Sequence, residues 1–346
     1  MVKMQKMIFV TGGTGLVGMH LLFELAGSGK RIRALKRKSS DLNQVQKIFS
    51  YYAENAADLL GRIEWVDGDI LDYFSMEEVL KDVDEIYHCA AVVSFDGKDR
   101  QRMISSNVEG TANLVNAAIE NGVKKMCHVS SVSALGKRQN GEFVNESTNW
   151  IPTKKHSAYS ESKFFSEAEI WRGIEEGLDA VIVNPSVIIG PGNWENSSAR
   201  YFKTIWDGMK YYTKGVTGYV SVQDVVRAMV TLMEPENFKD CKNERYLLSA
   251  ENLSFQNVFN QIADALGKPR PTVYATDFMT GVAWRAAKLA GWITGQPPVI
   301  TREIASGRNE INNFDGSKIT RTIEFQYEPV SEAIKKTAAC LLREMQ

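Results

Sequence analysis

The chain has 346 residues, of which 44% are hydrophobic and 24% charged, so it holds enough apolar material for a large domain with a smaller partner. Its 41 Lys and Arg against 42 Asp and Glu leave a net charge of −1, which excludes a global positive field that would attract nucleic acid. The mean hydropathy of −0.25 excludes a polytopic membrane protein, and the ordinary Gly and Pro counts exclude collagen-like and disordered chains.

The N-terminal segment does not have the pattern of a targeting signal. Only four apolar residues, 7–10, precede Thr11, whereas a secretory signal needs roughly 7–15. The four cysteines are scattered and form no CxxC pair, which is typical of reduced thiols rather than of a disulfide scaffold or a zinc site. We therefore expect a cytoplasmic protein that binds no metal ion.

Short apolar runs alternate with helical patterns along the first half of the chain. Strands are predicted at residues 7–11, 31–35, 63–66, 85–89, 126–130 and 180–184, and helices at 16–26, 75–81, 108–121 and 157–175. A strand and helix follow at 219–232 and a strand at 246–249. This alternation predicts an α/β fold with a doubly wound parallel sheet covered on both faces.

The remaining segments predict a smaller, mostly helical C-terminal substrate lobe. We expect the sheet domain to comprise residues 1–184 and 219–250, and the lobe 185–218 and 251–346. The most apolar late stretch, 278–294, is interrupted by Arg285 and Lys288 and predicts an amphipathic helix. We expect no stable membrane insertion, although attachment through the apolar face of that helix stays open.

The turn after the first strand has the pattern of a dinucleotide-binding loop. Residues 11–18 read TGGTGLVG, so Gly12, Gly15 and Gly18 follow G-x-x-G-x-x-G spacing between a strand and a helix. Such glycines allow a tight turn, close approach of a pyrophosphate and close helix packing, and the helix N-terminus attracts the anion. This indicates a Rossmann domain. The predicted cofactor contacts here are Gly12, Thr14, Gly15, Leu16 and Val17.

The end of the second strand indicates which nicotinamide cofactor is bound. An acid there would bind a ribose 2′-hydroxyl, and a cation a 2′-phosphate. This chain has Lys36, Arg37 and Lys38, and its first acid is Asp41. Because Arg37 can pair with a phosphate through two hydrogen bonds, we favour NADP(H) over NAD(H). The alternative is a solvated basic turn.

Later strand ends supply further candidate cofactor contacts. Asp69, followed by Ile70, is placed to accept a hydrogen bond from the adenine amino group, although it could equally cap a turn or helix. The small side chains of Ala90 and Ala91 would let a dinucleotide lie against the backbone. We interpret His88 as a packed strand residue rather than a catalyst.

A Tyr-x-x-x-Lys pair carries the candidate chemistry. Tyr159 and Lys163 lie in a predicted helix, which places them on one face, a turn apart. A nearby ammonium is expected to lower the pKa of the phenol toward the working range. Ser131, at the carboxyl end of the fifth strand, points into the crevice where such sheets bind ligands. It could donate to a substrate oxygen while Tyr159 transfers the proton.

Taken together, these motifs resemble the extended short-chain dehydrogenase/reductase family, within the NAD-dependent epimerase/dehydratase superfamily. The resemblance places catalysis on Ser131, Tyr159 and Lys163, and implies hydride transfer between the nicotinamide and a carbonyl or carbinol carbon. Asn107 matches an asparagine that supports the active site through a helix distortion, and Pro185 a proline beside the nicotinamide. The matching residues are 11–18, 68–69, 90–91, 107–111, 130–131, 159–163, 184–185 and 190–192.

Departures from the sugar-nucleotide enzymes narrow the resemblance. Dehydratases of the family carry Thr-Asp-Glu where residues 131–133 read Ser-Val-Ser, so the acid/base pair for water elimination is missing. Asn184 replaces the arginine common in sugar-nucleotide enzymes. The chain is more similar to the dihydroflavonol-reductase-like and 3β-hydroxysteroid-dehydrogenase-like branches, which act on carbonyls of hydrophobic small molecules. Ser130 and Ser133 remain alternatives to Ser131 as the catalytic serine.

Aromatic residues are concentrated in the segments expected to cap the crevice. An apolar pocket with few polar groups suits an aromatic or alicyclic carbonyl compound. The alternative is that these side chains form the core of the lobe itself. The aromatic residues are Phe95, Trp194, Tyr201, Phe202, Trp206, Tyr211 and Tyr212. Substrate contacts are predicted at Ser94, Ser133, Asn193 and Trp194.

Three functions remain open. The first is an NADPH-dependent reductase of a ketone or aldehyde. The second is a sugar-nucleotide epimerase that holds NAD⁺ and acts by transient oxidation. The third is a non-catalytic dinucleotide sensor, which the presence of a complete proton-transfer set disfavours. Resemblance to the family also implies a homodimer that pairs the helices after Asn107 and around Tyr159, with a small molecule as the other partner.

Overall fold

The computed structural model describes residues 6–94, 97–138, 142–153, 156–276, 279 and 309–345. The helix predicted at 278–294 lies, apart from Met279, outside the described residues, as does Phe95. Among the described residues, no helix combines the length and apolar character needed to cross a bilayer. The four cysteines are all free thiols.

Seven parallel strands form the central sheet, in the order β3-β2-β1-β4-β5-β7-β11. Strand order therefore reverses beside β1, which is where doubly wound sheets open a ligand crevice. The strands are β1 (Met7–Thr11), β2 (Arg31–Lys36), β3 (Ile63–Asp67), β4 (Val83–His88), β5 (Lys125–Val129), β6 (Phe143–Val144), β7 (Ala180–Pro185), β8 (Val187–Ile189), β9 (Tyr211–Tyr212), β10 (Val216–Ser221), β11 (Glu244–Leu248), β12 (Glu251–Ser254), β13 (Val273–Tyr274) and β14 (Asn313–Phe314).

Helices cover both faces of this sheet. The helices of the described residues, those of the lobe included, are α1 (Leu16–Gly27), α2 (Leu42–Tyr52), α3 (Ala56–Leu60), α4 (Tyr73–Val79), α5 (Arg100–Ile104), α6 (Gly110–Glu120), α7 (Ala158–Glu175), α8 (Ala199–Trp206), α9 (Val222–Met233), α10 (Pro235–Cys241), α11 (Phe255–Ala265), α12 (Ser317–Thr322) and α13 (Val330–Met345). A π-helical turn at Ser105–Glu109 runs into α6, and a short 3₁₀ turn at Val132–Ala134 follows β5.

Two apolar layers result from the alternation of side chains along each strand. In β1, Ile8 and Val10 pack with α1, α2 and α9, while Met7 and Phe9 pack with α4, α6 and α7. Because successive strand side chains point to opposite faces, a continuous apolar strand buries both faces of the sheet. The predicted α/β fold with a doubly wound parallel sheet is confirmed.

The lobe has its own core and its own small sheet. β10 pairs with β8 in parallel and with β12 antiparallel, and α8, α11 and α13 pack beside them. Tyr219 of β10 lies in this second core. In contrast, Ile319, Ile323 and Phe325 pack into the core of the central sheet. Residues of the segment 251–346 therefore contribute to both cores, and the domain boundaries at 219 and 251 stay a prediction.

Candidate active site

The loop after β1 is shaped by close backbone approach. Gly12 has φ +69°, and a Cβ there would lie 2.5 Å from the backbone nitrogen of Ala90. A Cβ on Gly18 would lie 2.1 Å from the carbonyl oxygen of Gly12. Only glycine fits either position. The loop therefore brings the N-terminus of α1 directly against the carboxyl ends of β1 and β4.

Ser131 and Tyr159 meet at the carboxyl end of β5. The hydroxyl of Ser131 lies beside the phenol of Tyr159, and its interaction with the phenol lowers the pKa of Tyr159. Ser131 Oγ also accepts from the backbone N–H of Ser133 at 3.1 Å, which leaves its own proton free to point at the phenol oxygen. Both side chains come from fixed elements, because Ser131 caps the 3₁₀ turn and Tyr159 lies in the first turn of α7.

The phenol does not have the lowered pKa that the sequence analysis expects. Burial raises the pKa of Tyr159, and the interaction with Ser131 opposes that shift only in part. Lys163 instead directs its ammonium to the backbone oxygen of Val129 at 2.8 Å. Desolvation of the phenolate therefore outweighs the attraction expected from the ammonium. Tyr159 is held in its neutral, proton-bearing form.

Lys163 is a buried amine in the same site. It is 3% exposed, and burial lowers its pKa to about 8, a shift that Glu167 and Cys89 oppose. An amine with that pKa is mostly charged at neutral pH and loses its charge above pH 8. Lys163 therefore supplies a positive charge one turn from Tyr159 under neutral conditions.

The two alternative serines have other partners. Ser130 is buried, and its hydroxyl donates to Glu167 Oε2 at 2.6 Å. The backbone oxygen of Ser133 accepts from the hydroxyl of Ser160 at 2.6 Å, which ties the turn after β5 to α7. Ser131 is thus the serine whose hydroxyl meets Tyr159.

Asn107 lies in the π-helical turn and joins two segments of the site. Its Oδ1 accepts from the backbone N–H of Val92 at 2.7 Å, and its Nδ2 donates to Val92 O at 2.9 Å. The same Nδ2 donates to Ser162 Oγ at 3.1 Å. The extra residue of a π turn re-aims a side chain that an α-helix would place elsewhere. Asn107 therefore fixes the loop after β4 against α7.

His88 is a packed residue at the end of β4. Its Nδ1 lies 2.7 Å from Thr11 Oγ1 and its Nε2 2.9 Å from Thr111 Oγ1. Burial, with Lys163 nearby, lowers the pKa of His88 to about 3. The ring is therefore neutral and fully engaged, so it has no free nitrogen for proton transfer.

The candidate contacts of the adenosine end lie at the surface. Arg37 is exposed, and its backbone N–H donates to Ser40 Oγ at 3.0 Å. Asp69 is exposed, and its Oδ1 accepts from the backbone N–H of Leu71 at 3.1 Å. It therefore closes a turn, which was the alternative to a contact with the adenine. Ile70 packs against Gly110.

Of the predicted substrate contacts, Ser94 and Ser133 follow strands of the central sheet, whereas Asn193 lies in an exposed turn. Ser94, in the loop after β4, donates to Asp99 at 2.6 Å, and Ser133 lies beside Ser131. Asn193 is exposed and accepts from the backbone of Glu195 in a local turn.

Trp194 packs in the core of the lobe, as the alternative to a substrate-binding role predicts. It lies in the lobe core, and its Nε1 donates to Glu344 of α13 at 2.6 Å. Phe202 is fully buried in the same core, and Tyr201, Trp206 and Tyr212 pack against it. Tyr211 is 50% exposed. Most of these aromatic side chains therefore stabilise the lobe.

The family model of the NAD dependent epimerase/dehydratase family matches residues 8–246. The chain belongs to this family. A putative dihydroflavonol 4-reductase of Synechocystis sp. is 28% identical over 337 residues, which cover 96% of this chain and 94% of that protein. Sterol demethylase protein B of Methylococcus capsulatus is 31% identical over 266 residues, 76% of this chain and 75% of that protein. This chain is an NAD(P)-dependent oxidoreductase.

The fold of this chain is similar to that of a solved epimerase structure. UDP-glucose 4-epimerase of Thermotoga maritima superposes with a TM-score of 0.77 at 20% identity, over 98% of this chain and 100% of that one. This likeness covers the central sheet and the lobe together.

The residues present fit the nicotinamide cofactor of the family. No side chain caps α1, which begins at Leu16 after the N-cap Gly15, so the N–H groups of its first turn are available to a pyrophosphate. The loop 190–192 packs against Leu16, and His20 of α1 contacts the backbone oxygen of Pro191 at 2.9 Å. Pro185 ends β7 beside this loop. The dinucleotide would lie across these elements toward Ala90 and Ala91.

One residue of the site was missed by the sequence analysis. Glu167 is buried, four residues after Lys163 on α7, and binds Ser130, Asn184, Trp171 and Arg245. The signal was present in the sequence, since a Glu at that spacing lies on the face of the helix that carries Tyr159 and Lys163.

Proposed function

We propose that this enzyme is an NADPH-dependent reductase of a carbonyl group in a small hydrophobic molecule, with Tyr159 as the proton donor. The observation that carries the proposal is the placement of Ser131 beside Tyr159, whose phenol pKa is raised by burial. Reduction of a carbonyl consumes a proton, so it needs an acid that is protonated at neutral pH. Tyr159 meets that need.

The chain's own groups have separable roles. Ser131 and Tyr159 would hold the substrate oxygen between their hydroxyls, and Tyr159 would release its proton to that oxygen. Lys163, charged below pH 8, would stabilise the phenolate that remains. When bound, the nicotinamide supplies the hydride. Asn107 keeps the loop after β4 in place through its bonds to Val92 and Ser162.

The substrate class follows from the relatives and the missing acids. Two similar proteins are named for a dihydroflavonol and a sterol, and a third is cinnamoyl-CoA reductase 1 of Petunia hybrida. These names support a ring-containing, largely apolar carbonyl compound. Residues 131–133 carry no carboxylate, which leaves water elimination without its acid/base pair.

Cofactor preference is proposed from the basic turn after β2. The guanidinium of Arg37 is exposed at the carboxyl end of that strand, where a 2′-phosphate would lie. Arg37→Glu should weaken NADPH binding by roughly 10–100-fold and leave NADH binding within a few-fold, since one charge-assisted phosphate pair is lost. Arg31→Glu, at the opposite end of β2, is the matched control and should change neither. Equal loss of both cofactors with Arg37→Glu would contradict the NADPH assignment.

A carbonyl screen tests the function directly. NADPH oxidation is followed at 340 nm with flavonoid-like, steroid, terpenoid and aldehyde substrates, and the released cofactor of the purified protein is identified. We expect NADPH consumption with at least one hydrophobic carbonyl compound. Bound NAD⁺ without net NADPH consumption, together with interconversion of a UDP-sugar, would favour the epimerase. Binding without any turnover would favour the sensor.

A further inference from the structure

A buried carboxylate outside the catalytic set joins the elements that carry that set. Glu167 is 2% exposed and lies on α7, one turn beyond Lys163. Its Oε2 accepts from Ser130 Oγ at 2.6 Å and from Asn184 Nδ2 at 2.7 Å. These partners lie at the carboxyl ends of β5 and β7. One oxygen therefore ties both strand ends to α7.

The second oxygen identifies the ionised form of Glu167. Its Oε1 accepts from Trp171 Nε1 at 3.2 Å and from Arg245 Nη1 at 3.1 Å. Four donors therefore converge on two oxygens. A protonated carboxyl would turn its own O–H toward one of these donors, whereas a carboxylate accepts from all of them. Three of the four partners, Asn184, Trp171 and Arg245, present only N–H groups here, and the Arg245 guanidinium is positively charged, so these contacts favour a carboxylate.

The same contacts reach the catalytic serine. Asn184 Nδ2, which donates to Glu167, also donates to the backbone oxygen of Ser131 at 3.0 Å. Ser131 is thus held from one side by Asn184 and, through the preceding Ser130, by the carboxylate itself. Since Tyr159 lies on the helix that carries Glu167, the carboxylate fixes the spacing between the two hydroxyls that would hold a substrate oxygen.

The charge of Glu167 also acts on Lys163. Burial lowers the pKa of the two neighbouring histidines and raises those of the neighbouring thiol and phenol, so all four groups are neutral near pH 7. Among the described residues, the carboxylate one turn away on α7 then favours the ammonium of Lys163 against the cost of burial. The titratable groups that act on Lys163, or on which it acts, are Glu167 on α7, His88 and Cys89 at the end of β4, and His128 on β5, and Tyr159 lies one turn before Lys163 on α7.

We propose that Glu167 is a positioning residue of this site: it joins β5 and β7 to α7, fixes Ser131 opposite Tyr159, and holds Lys163 in its charged form. The part that concerns turnover rests on the proposed reductase function. The charge state of Lys163 does not, because it can be measured without substrate.

The test is the titration of Lys163 in variants of Glu167. The ¹³Cε resonance of Lys163 is followed against pH in lysine-labelled full-length protein and assigned with Lys163→Arg. With Glu167→Gln, we expect the midpoint to fall by about one pH unit, since a neutral amide no longer favours the ammonium. Glu167→Asp keeps the charge and should restore the midpoint to within a few tenths of a unit. Glu169→Gln, a matched change elsewhere on α7 that removes a pair with Arg172, should leave it unchanged.

Turnover gives a second readout for the same variants. In the carbonyl reduction assay, Glu167→Gln should lower kcat more than tenfold with little change in the KM for NADPH, and move the alkaline limb of the pH profile down with the Lys163 midpoint. If Lys163 titrates as expected while the wild-type protein reduces no carbonyl compound, the inference on Glu167 holds and the reductase proposal fails.

A second variant, expected to shift the Lys163 midpoint in the opposite direction, keeps the proposal testable if Glu167→Gln does not fold. Arg245→Gln removes the positive charge that shares the carboxylate, so it should raise the Lys163 midpoint. A merely structural carboxylate would lower thermal stability in these variants and leave the midpoint where it is in the wild type. An unchanged midpoint in Glu167→Gln, or an unchanged or lowered one in Arg245→Gln, overturns the proposal.

Discussion

At the scale of single residues, the site depends on two buried groups whose pKa values burial shifts in opposite directions. Burial raises the pKa of Tyr159, which keeps the phenol protonated, and lowers that of Lys163 to about 8. Both shifts disfavour the charged form of the group concerned. The pair is therefore suited to donate a proton near neutral pH and loses its positive charge in mild alkali.

This arrangement predicts a pH limit on reduction. The wild-type kcat/KM should fall tenfold per pH unit above about pH 8, since Lys163 then loses the proton that supports the phenolate. Lys163→Met should be slow at every pH and show no limb near 8, as measured by initial rates at saturating NADPH. Lys81→Met, on an exposed helix end, should behave as the wild type. A limb at pH 8 that persists in Lys163→Met would assign it to another group.

The sequence allowed the motif residues to be predicted, but not the packing and hydrogen bonds around them. Tyr159 and Lys163 could be predicted from their spacing together with their place after the fifth strand, and Ser131 from the end of that strand and the family resemblance; the structure brings Ser131 to Tyr159. The direction of the Tyr159 pKa shift could not, because it depends on how much water the surrounding packing removes. Three partners of Glu167, namely Ser130, Asn184 and Arg245, lie far from it in the sequence, and no local pattern indicates such contacts.

At the scale of elements, the glycine loop sets the distance between α1 and β4. Gly12→Ala would place a Cβ 2.5 Å from the backbone of Ala90 at φ +69°. We expect it to weaken NADPH binding more than tenfold and to lower the melting temperature. Gly29→Ala is the matched control, since Gly29 has φ +72° with nothing near its Cβ position, and should cost only about 1 kcal/mol with normal binding. Fluorescence titration and thermal unfolding measure both. Equal losses would show that strain, not close approach, controls the loop.

The regular elements were predictable because the sheet is buried on both faces. Continuous apolar runs at 7–11 and 180–184 correspond to β1 and β7 within a residue. The helix predicted at 108–121 begins as α6 at Gly110, since the π turn precedes it. The strand predicted from residue 219 corresponds to β10, but its partners β8 and β12 were not predicted, because strands of three or four residues lack a sustained period.

At the scale of the whole molecule, buried neutral histidines make stability depend on pH. Burial lowers the pKa of His20 to about 4 and that of His88 to about 3. Below pH 6.5 the unfolded chain therefore binds more protons than the folded chain. The free energy of unfolding that the neutral histidines contribute is complete above pH 6.5 and is lost as the pH falls toward 4. His20→Gln should reduce the loss of unfolding free energy between pH 7 and pH 5 by about 2 kcal/mol. Urea titrations at the two pH values measure it, and an unchanged loss would exclude His20.

The oligomeric state is a further proposal at this scale. The family resemblance implies a homodimer through α6 and α7, and Phe165 of α7 is 48% exposed, as a helix–helix interface would require. We expect sedimentation equilibrium to give about twice the chain mass, and Phe165→Glu to give the monomer. A monomeric wild-type protein would contradict this proposal.

The most direct test of the account is a single-turnover measurement on Tyr159→Phe. Excess enzyme with NADPH is mixed with a carbonyl substrate found in the screen, and the loss of NADPH absorbance is followed by stopped flow. We predict that Tyr159→Phe slows this step by roughly 10²–10⁴-fold while NADPH affinity changes less than twofold, because only the proton donor is lost. Tyr73→Phe, a surface tyrosine on α4, should keep the wild-type rate. A near-wild-type rate in Tyr159→Phe would contradict the account.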